Sequence, residues 1–127
     1  MDPTLSMKDV QEQTGITGHT LRYYEKAGLL NDIGRLENGH RFYTEFDIEW
    51  IKTLMLLRST GMPIQKMLDL AKLKDEGEAS IEKRIAYFKA YQQELREQIA
   101  MREEAIRTMD KKIKRHEMLL AKRDKER

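Results

Sequence analysis

The chain has 127 residues, of which 39% are hydrophobic, 7% aromatic and 36% charged. That is too apolar for a disordered chain and too polar for one compact core of this length, so a modest core with a long solvated helix is expected. The formal net charge is +2 and cysteine is absent, which excludes disulfides, thiolate metal sites, Fe–S ligation and thiol redox sensing.

Met1-Asp2-Pro3-Thr4 has neither a basic nor an apolar leader stretch, so no secretory signal is expected. No apolar run approaches the roughly 18–20 residues of a membrane span, and a cytoplasmic, nucleoid-associated protein is the expectation. Ser6, with Asp9 three residues on, predicts a capped short helix carrying Met7 and Val10 inward and stopping near Gly15. Thr17 caps a second helix to about Ala27, with Gly28 past its end. Two short helices about the Gly15-Ile16-Thr17 turn have helix-turn-helix spacing.

Between Leu29 and Tyr43 lie Asn31-Asp32-Ile33-Gly34 and Glu37-Asn38-Gly39-His40. Asn-Gly favours hairpin turns because both residues tolerate positive φ, so a small β-hairpin is expected. Thr44, with Asp47, caps a third helix bearing Ile48, Ile51, Leu54 and Met55 and ending at Gly61. Pro63 starts a fourth, with Ile64, Met67, Leu68 and Ala71 on one face. Lys74 to Glu78 is polar, and beyond Gly77 neither Gly nor Pro occurs, which predicts one long helix. The expected organisation is a winged helix-turn-helix domain over 1–74, a linker at 75–79, a coiled-coil helix over 80–121 and a charged tail at 122–127. The fold class is mainly α.

The second helix has two faces. Leu21 and Tyr24 face a core, whereas His19, Arg22, Tyr23 and Lys26 share the opposite side at i, i+3, i+4 and i+7. Arg and Lys reach phosphates or guanine edges, and Tyr and Thr hydroxyls, Thr20 among them, reach phosphates. The hairpin repeats the pattern with Arg35, Asn38, His40, Arg41 and Tyr43. Bulk charge gives no such signal. Residues 1–74 hold ten Lys/Arg and ten Asp/Glu, and residues 75–127 hold fourteen and twelve. The placement of the cations therefore carries the inference.

Thr20-Leu21-Arg22-Tyr23-Tyr24-Glu25-Lys26-Ala27-Gly28-Leu29-Leu30 resembles the recognition-helix motif of the MerR family of bacterial transcription regulators. Asn38-Gly39-His40-Arg41-Phe42-Tyr43 resembles that family's first wing, and Leu57-Arg58-Ser59-Thr60-Gly61-Met62-Pro63-Ile64 its second. The resemblance implies a homodimer on a pseudo-palindromic promoter with an over-long spacer. The dimer bends and untwists this DNA so that RNA polymerase engages both promoter elements. It implies DNA contacts from Thr17, His19, Arg22 and Tyr23, from His40, Arg41 and Tyr43, and from Arg58. Pro63 departs from the small polar cap of many members and removes an N–H from the second wing.

From Ile81, the positions Ile85, Phe88, Gln92, Leu95, Ile99, Arg102, Ile106, Met109, Ile113, His116 and Leu120 alternate in steps of four and three. Nine of the twelve are apolar, so the stripe reads as a coiled-coil seam. Forty residues of helix extend about 60 Å, and such a stripe calls for a second helix to cover it. The expected partner is another copy, and the family resemblance implies antiparallel pairing. Gln92, Arg102 and His116 either set register or leave the seam wet at those points.

Trp50, Met67, Tyr87, Phe88 and Tyr91 are candidates for a small effector pocket, with core packing as the competing reading. The family's added drug-binding domain is not expected in a chain this short. His19, His40 and His116 lack metal-ligand spacing, and no P-loop, dinucleotide fingerprint or nucleophile motif occurs. No metal, cofactor or catalytic residue is expected, and the effector stays unknown. The competing function class is a coiled-coil adaptor whose helical head binds protein.

Overall fold

The computed structural model describes residues 4–31 and 33–127. The leader reading of residues 1–3, and Asp32 in the first turn stretch, lie outside the described residues. The chain divides into two compact units, 1–84 and 85–127.

In the first unit, α1 (Met7–Thr14) begins with a capping box in which Ser6 and Asp9 satisfy each other's backbone N–H groups. Such a cap stabilises a helix by about 1 kcal/mol. Gly15 ends α1 in the left-handed region at φ +78, donating its N–H to the Gln11 carbonyl. The Thr14 hydroxyl braces the turn, donating to the Val10 carbonyl at 2.7 Å and accepting from the Ile16 N–H at 3.2 Å. Helix α2 (Gly18–Lys26) follows at once, capped by Thr17. Strands β1 (Gly34–Arg35) and β2 (Arg41–Phe42) form the hairpin, pairing Gly34 with Phe42 and Arg35 with Arg41. The turn closes through Gly39 N–H to Leu36 C=O at 2.9 Å, with Gly39 at φ +85. A bridge that the sequence did not foretell ties Leu5 to Tyr43 by two backbone hydrogen bonds, 2.7 and 2.8 Å long.

Helices α3 (Glu45–Ser59) and α4 (Ile64–Asp75) pack on each other, and α1 packs on α3. Thr44 and Asp47 form the expected capping box on α3. The core holds Val10, Ile16, Leu21, Tyr24, Leu29 and Leu30 from the N-terminal half, with Ile48, Ile51, Leu54, Met67 and Ala71 below them. Burial departs from the helical spacing at six residues. Trp50 and Leu57 join the α3 core while Met55 is half-buried, and Leu70 is buried on α4 where Ile64 and Leu68 are only partly covered. Both helices are packed on more than one side, so each buries a wider arc than a single stripe.

The polar segment after Lys74 is ordered. Helix α4 runs to Asp75 and a 3₁₀ turn spans Gly77–Ser80. Ser80 is wholly buried; its hydroxyl donates to the Leu73 carbonyl and accepts from the Arg84 guanidinium at 3.0 Å. Helix α5 (Ile81–Glu126) continues through the charged residues 122–126. No described helix is long and apolar enough to cross a membrane. In the second unit, Ile85, Phe88, Ile99, Ile106, Met109, Ile113 and Leu120 are exposed, and Leu95 is half-buried.

Candidate nucleic-acid interface

Helix α2 presents the face expected of it. Leu21 and Tyr24 are 1% and 4% exposed, while His19, Arg22, Tyr23 and Lys26 are exposed. The Thr17 hydroxyl accepts from the Thr20 N–H at 3.1 Å and donates to the Thr20 hydroxyl at 2.9 Å. Both threonines are therefore held at the helix N-terminus, where partial positive charge favours a phosphate. Burial pushes the Tyr24 phenol above its ordinary range, with the positive charge of Arg58 opposing. Among the described residues, no carboxylate lies within ion-pair distance of Arg22, Lys26 or Arg58. The Arg22 guanidinium lies 3.9 Å from the Met7 sulfur. Arg58, in the last turn of α3, donates to the Met62 carbonyl at 3.3 Å across the Gly61 turn.

The hairpin is joined to α2 by one carboxylate. Glu25 pairs with Arg41 at 2.5 Å and with Arg35 at 3.6 Å, so both strands are tied to the helix. Arg35 also donates to the Gly39 carbonyl at 3.0 Å, and the His40 N–H donates to the Asn38 side chain at 3.0 Å. These bonds fix the tip, whose residues Asn38 and His40 are exposed. Phe42 lies directly over Gly34: a Cβ built there would sit 2.1 Å from the ring. Gly34 is required by this close approach and not by its backbone angles.

One candidate must be corrected. Tyr43 is 0% exposed, and its hydroxyl is buried without a hydrogen-bond partner among the described residues. The bridge to Leu5 draws the end of β2 into the core, so the phenol cannot present itself to a phosphate. Burial, reinforced by the negative charge of Glu25, raises its pKa. Of the pocket candidates, Met67 is 0% and Trp50 7% exposed. The indole N–H of Trp50 donates to the Leu29 carbonyl at 2.7 Å, and the Lys74 ammonium lies 4.7 Å from its ring centroid. Both residues are packed into the first unit's core. Tyr87, Phe88 and Tyr91 belong to the second unit, where the Tyr87 and Phe88 rings meet edge to face.

Glu25 is the residue whose part the sequence did not disclose. Its only local signal is a single acid among the cations of the second helix. Its pairing with residues 10 and 16 positions away depends on the hairpin register.

The model of a family described as MerR HTH family regulatory protein matches residues 5–73. An uncharacterized HTH-type transcriptional regulator of Haemophilus influenzae is 35% identical over 97 residues, which cover 76% of this chain and 72% of that protein. HTH-type transcriptional regulator AdhR of Bacillus subtilis is 36% identical over 80 residues, 63% of this chain and 57% of AdhR. This chain therefore matches little more than half of AdhR's length. Among solved structures, HiNmlR, a MerR family regulator lacking the sensor domain and bound to promoter DNA, superimposes with a TM-score of 0.68 at 33% identity. The match covers 82% of this chain and 79% of that one. A putative MerR family transcriptional regulator from Listeria monocytogenes gives 0.73 at 35% identity, covering 86% and 83%.

Proposed function

Because the chain belongs to the MerR HTH family of regulatory proteins, we propose that it is a transcription regulator that binds promoter DNA as a homodimer. The observation that carries this reading is the exposed α2 face, with Arg22 and Lys26 free of carboxylates among the described residues, beside a wing bound to the same helix. Arg22, Tyr23 and Lys26 are the residues to enter a major groove, reaching the phosphates along it or the base edges within it. Thr17 and Thr20 at the helix start, His19, Arg58 at the second wing, and Arg35, Asn38, His40 and Arg41 on the first wing supply backbone contacts. That HiNmlR, a similar MerR family regulator, is solved bound to promoter DNA supports the DNA-binding reading.

Dimerisation falls to α5. Its seam leaves a row of large apolar side chains in water, from Ile85 at 49% exposed to Ile106 at 66%. Such a row is covered by a second copy, in antiparallel pairing. Two DNA-binding units on one dimer match a pseudo-palindromic site. Bending and untwisting an over-long spacer would place both promoter elements in reach of RNA polymerase, which the protein thus serves indirectly. The deformation costs several kcal/mol, of the order that a large set of phosphate contacts offsets.

The test is footprinting across a salt series, with Arg22→Ala and Lys26→Ala beside the unmodified chain. Each phosphate contact removed should flatten the slope of log K against log salt by about 0.9. Affinity and slope unchanged in both variants would remove α2 from the interface. Absence of any salt-sensitive protection, including on DNA selected from random sequence, would favour the protein-binding adaptor.

A further inference from the structure

Arg35 and Arg41 face each other across the hairpin, one on each strand, and a single carboxylate on α2 holds both. Arg41 is 27% exposed and Glu25 24%, so that pair is half-withdrawn from water, while Arg35 is 51% exposed. Exposed ion pairs add little stability. This one lies at the join between the two elements that are to meet DNA, and it has two effects there. It ties both strands of the wing to α2, while the Leu5–Tyr43 bridge anchors only the end of the second strand, to the segment before α1. It also cancels the charge of one of the two wing arginines, so a phosphate must compete with Glu25 for them.

We propose that Glu25 is a positioning residue that sets DNA specificity, holding the wing arginines in register with α2 and withholding them from indiscriminate phosphate contact. The inference rests on the DNA-binding reading above. A wing without this carboxylate gains a free cation and loses its alignment. It should bind random DNA more tightly and discriminate less.

Two variants separate charge from placement. Glu25→Gln keeps the side chain's size and removes its charge. Its binding to non-specific DNA should steepen in log K against log salt by about 0.9 for one added phosphate contact. Over the range from about 50 to 200 mM salt that slope is a further loss of roughly three- to fourfold. The ratio of specific to non-specific affinity should fall about tenfold. Glu25→Asp keeps the charge and withdraws the carboxylate by one methylene. Its non-specific slope should match the unmodified chain's while its specificity ratio falls.

A merely structural Glu25 would lower affinity for every sequence alike with the slope unchanged, and that result overturns the proposal. So does Glu25→Gln that leaves slope and ratio untouched. If Glu25→Gln does not fold, Glu25→Asp decides alone: an unaltered specificity ratio sinks the idea. The unmodified chain is the control on the underlying reading. If it shows no salt-dependent DNA binding, the function itself fails; if it binds and the variants behave as it does, only the clamp fails.

Discussion

Trp50→Phe tests how the end of α2 is anchored to the core. Leu29, just past the end of α2, is wholly buried, and its carbonyl accepts from the Trp50 indole N–H at 2.7 Å. Phenylalanine has no donor, so a buried carbonyl is left unsatisfied at a cost of about 1–3 kcal/mol. The smaller ring also weakens the contact with the Lys74 ammonium, 4.7 Å from the indole centroid, by roughly 0.5–1 kcal/mol. The sum is about 1.5–4 kcal/mol, on the order of 1–2 M in urea midpoint for a small domain. Far-UV circular dichroism is the readout, because Trp50 is the sole tryptophan and its fluorescence goes with it. Protein concentration is held fixed, since a dimer's apparent stability depends on it. A loss below about 0.5 kcal/mol at unchanged m-value would refute the reasoning and assign neither contact a role in holding α2.

Gly34→Ala places a methyl 2.1 Å from the Phe42 ring and should cost about 1–3 kcal/mol by overpacking; thermal melts of this variant and of Gly34→Ala with Phe42→Ala should show less-than-additive losses. Tyr43→Phe removes a buried hydroxyl without a partner and should leave stability unchanged or raise it by up to about 1 kcal/mol in urea titrations. The Tyr43 phenol is held above its ordinary 10.0, so its contribution is full below that pH and is lost as pH rises through the folded value. Melts above pH 10 should therefore fall less steeply in Tyr43→Phe, with Tyr24, also raised by burial, accounting for what remains. Ile106→Glu puts a charge in the seam at a side chain 66% exposed in the single chain, whereas Met101→Glu, 67% exposed, lies off the seam. Sedimentation should show dissociation in the first and an intact dimer in the second, and a dimer surviving Ile106→Glu would remove the seam from the interface.

What could be read from the sequence is what local chemistry decides. Ser6 with Asp9, Thr17, and Thr44 with Asp47 cap their helices because each acts within a turn, and Gly15 and Gly39 take positive φ for the same local reason. The polar face of α2 was legible because a helix of nine residues with one buried side has a fixed period. What stayed hidden is settled by residues far apart in the chain. Tyr43 looked like a wing residue until the Leu5 bridge, 38 positions back, drew it inward. Trp50 looked available for a ligand until the Leu29 carbonyl, 21 positions back, claimed its N–H. Gly34 reads as a turn glycine, yet its constraint is the ring of its cross-strand partner.

The same division bears on the interface itself. The side chains for meeting phosphate and base edges sit on short, self-contained elements, and their chemistry can be named from the sequence. Their alignment comes from non-local contacts: Glu25 across to both strands and Trp50 behind the end of α2. Affinity for DNA as a polyanion should thus follow the number of exposed cations, which substitutions on α2 change directly. Discrimination among sequences should follow the long-range contacts as well as the base-edge contacts of α2, and neither Glu25 nor Trp50 needs to touch DNA. Arg22→Ala and Glu25→Asp accordingly ought to separate in one salt series, the first flattening the slope and the second leaving it unchanged while the ratio of specific to non-specific affinity falls.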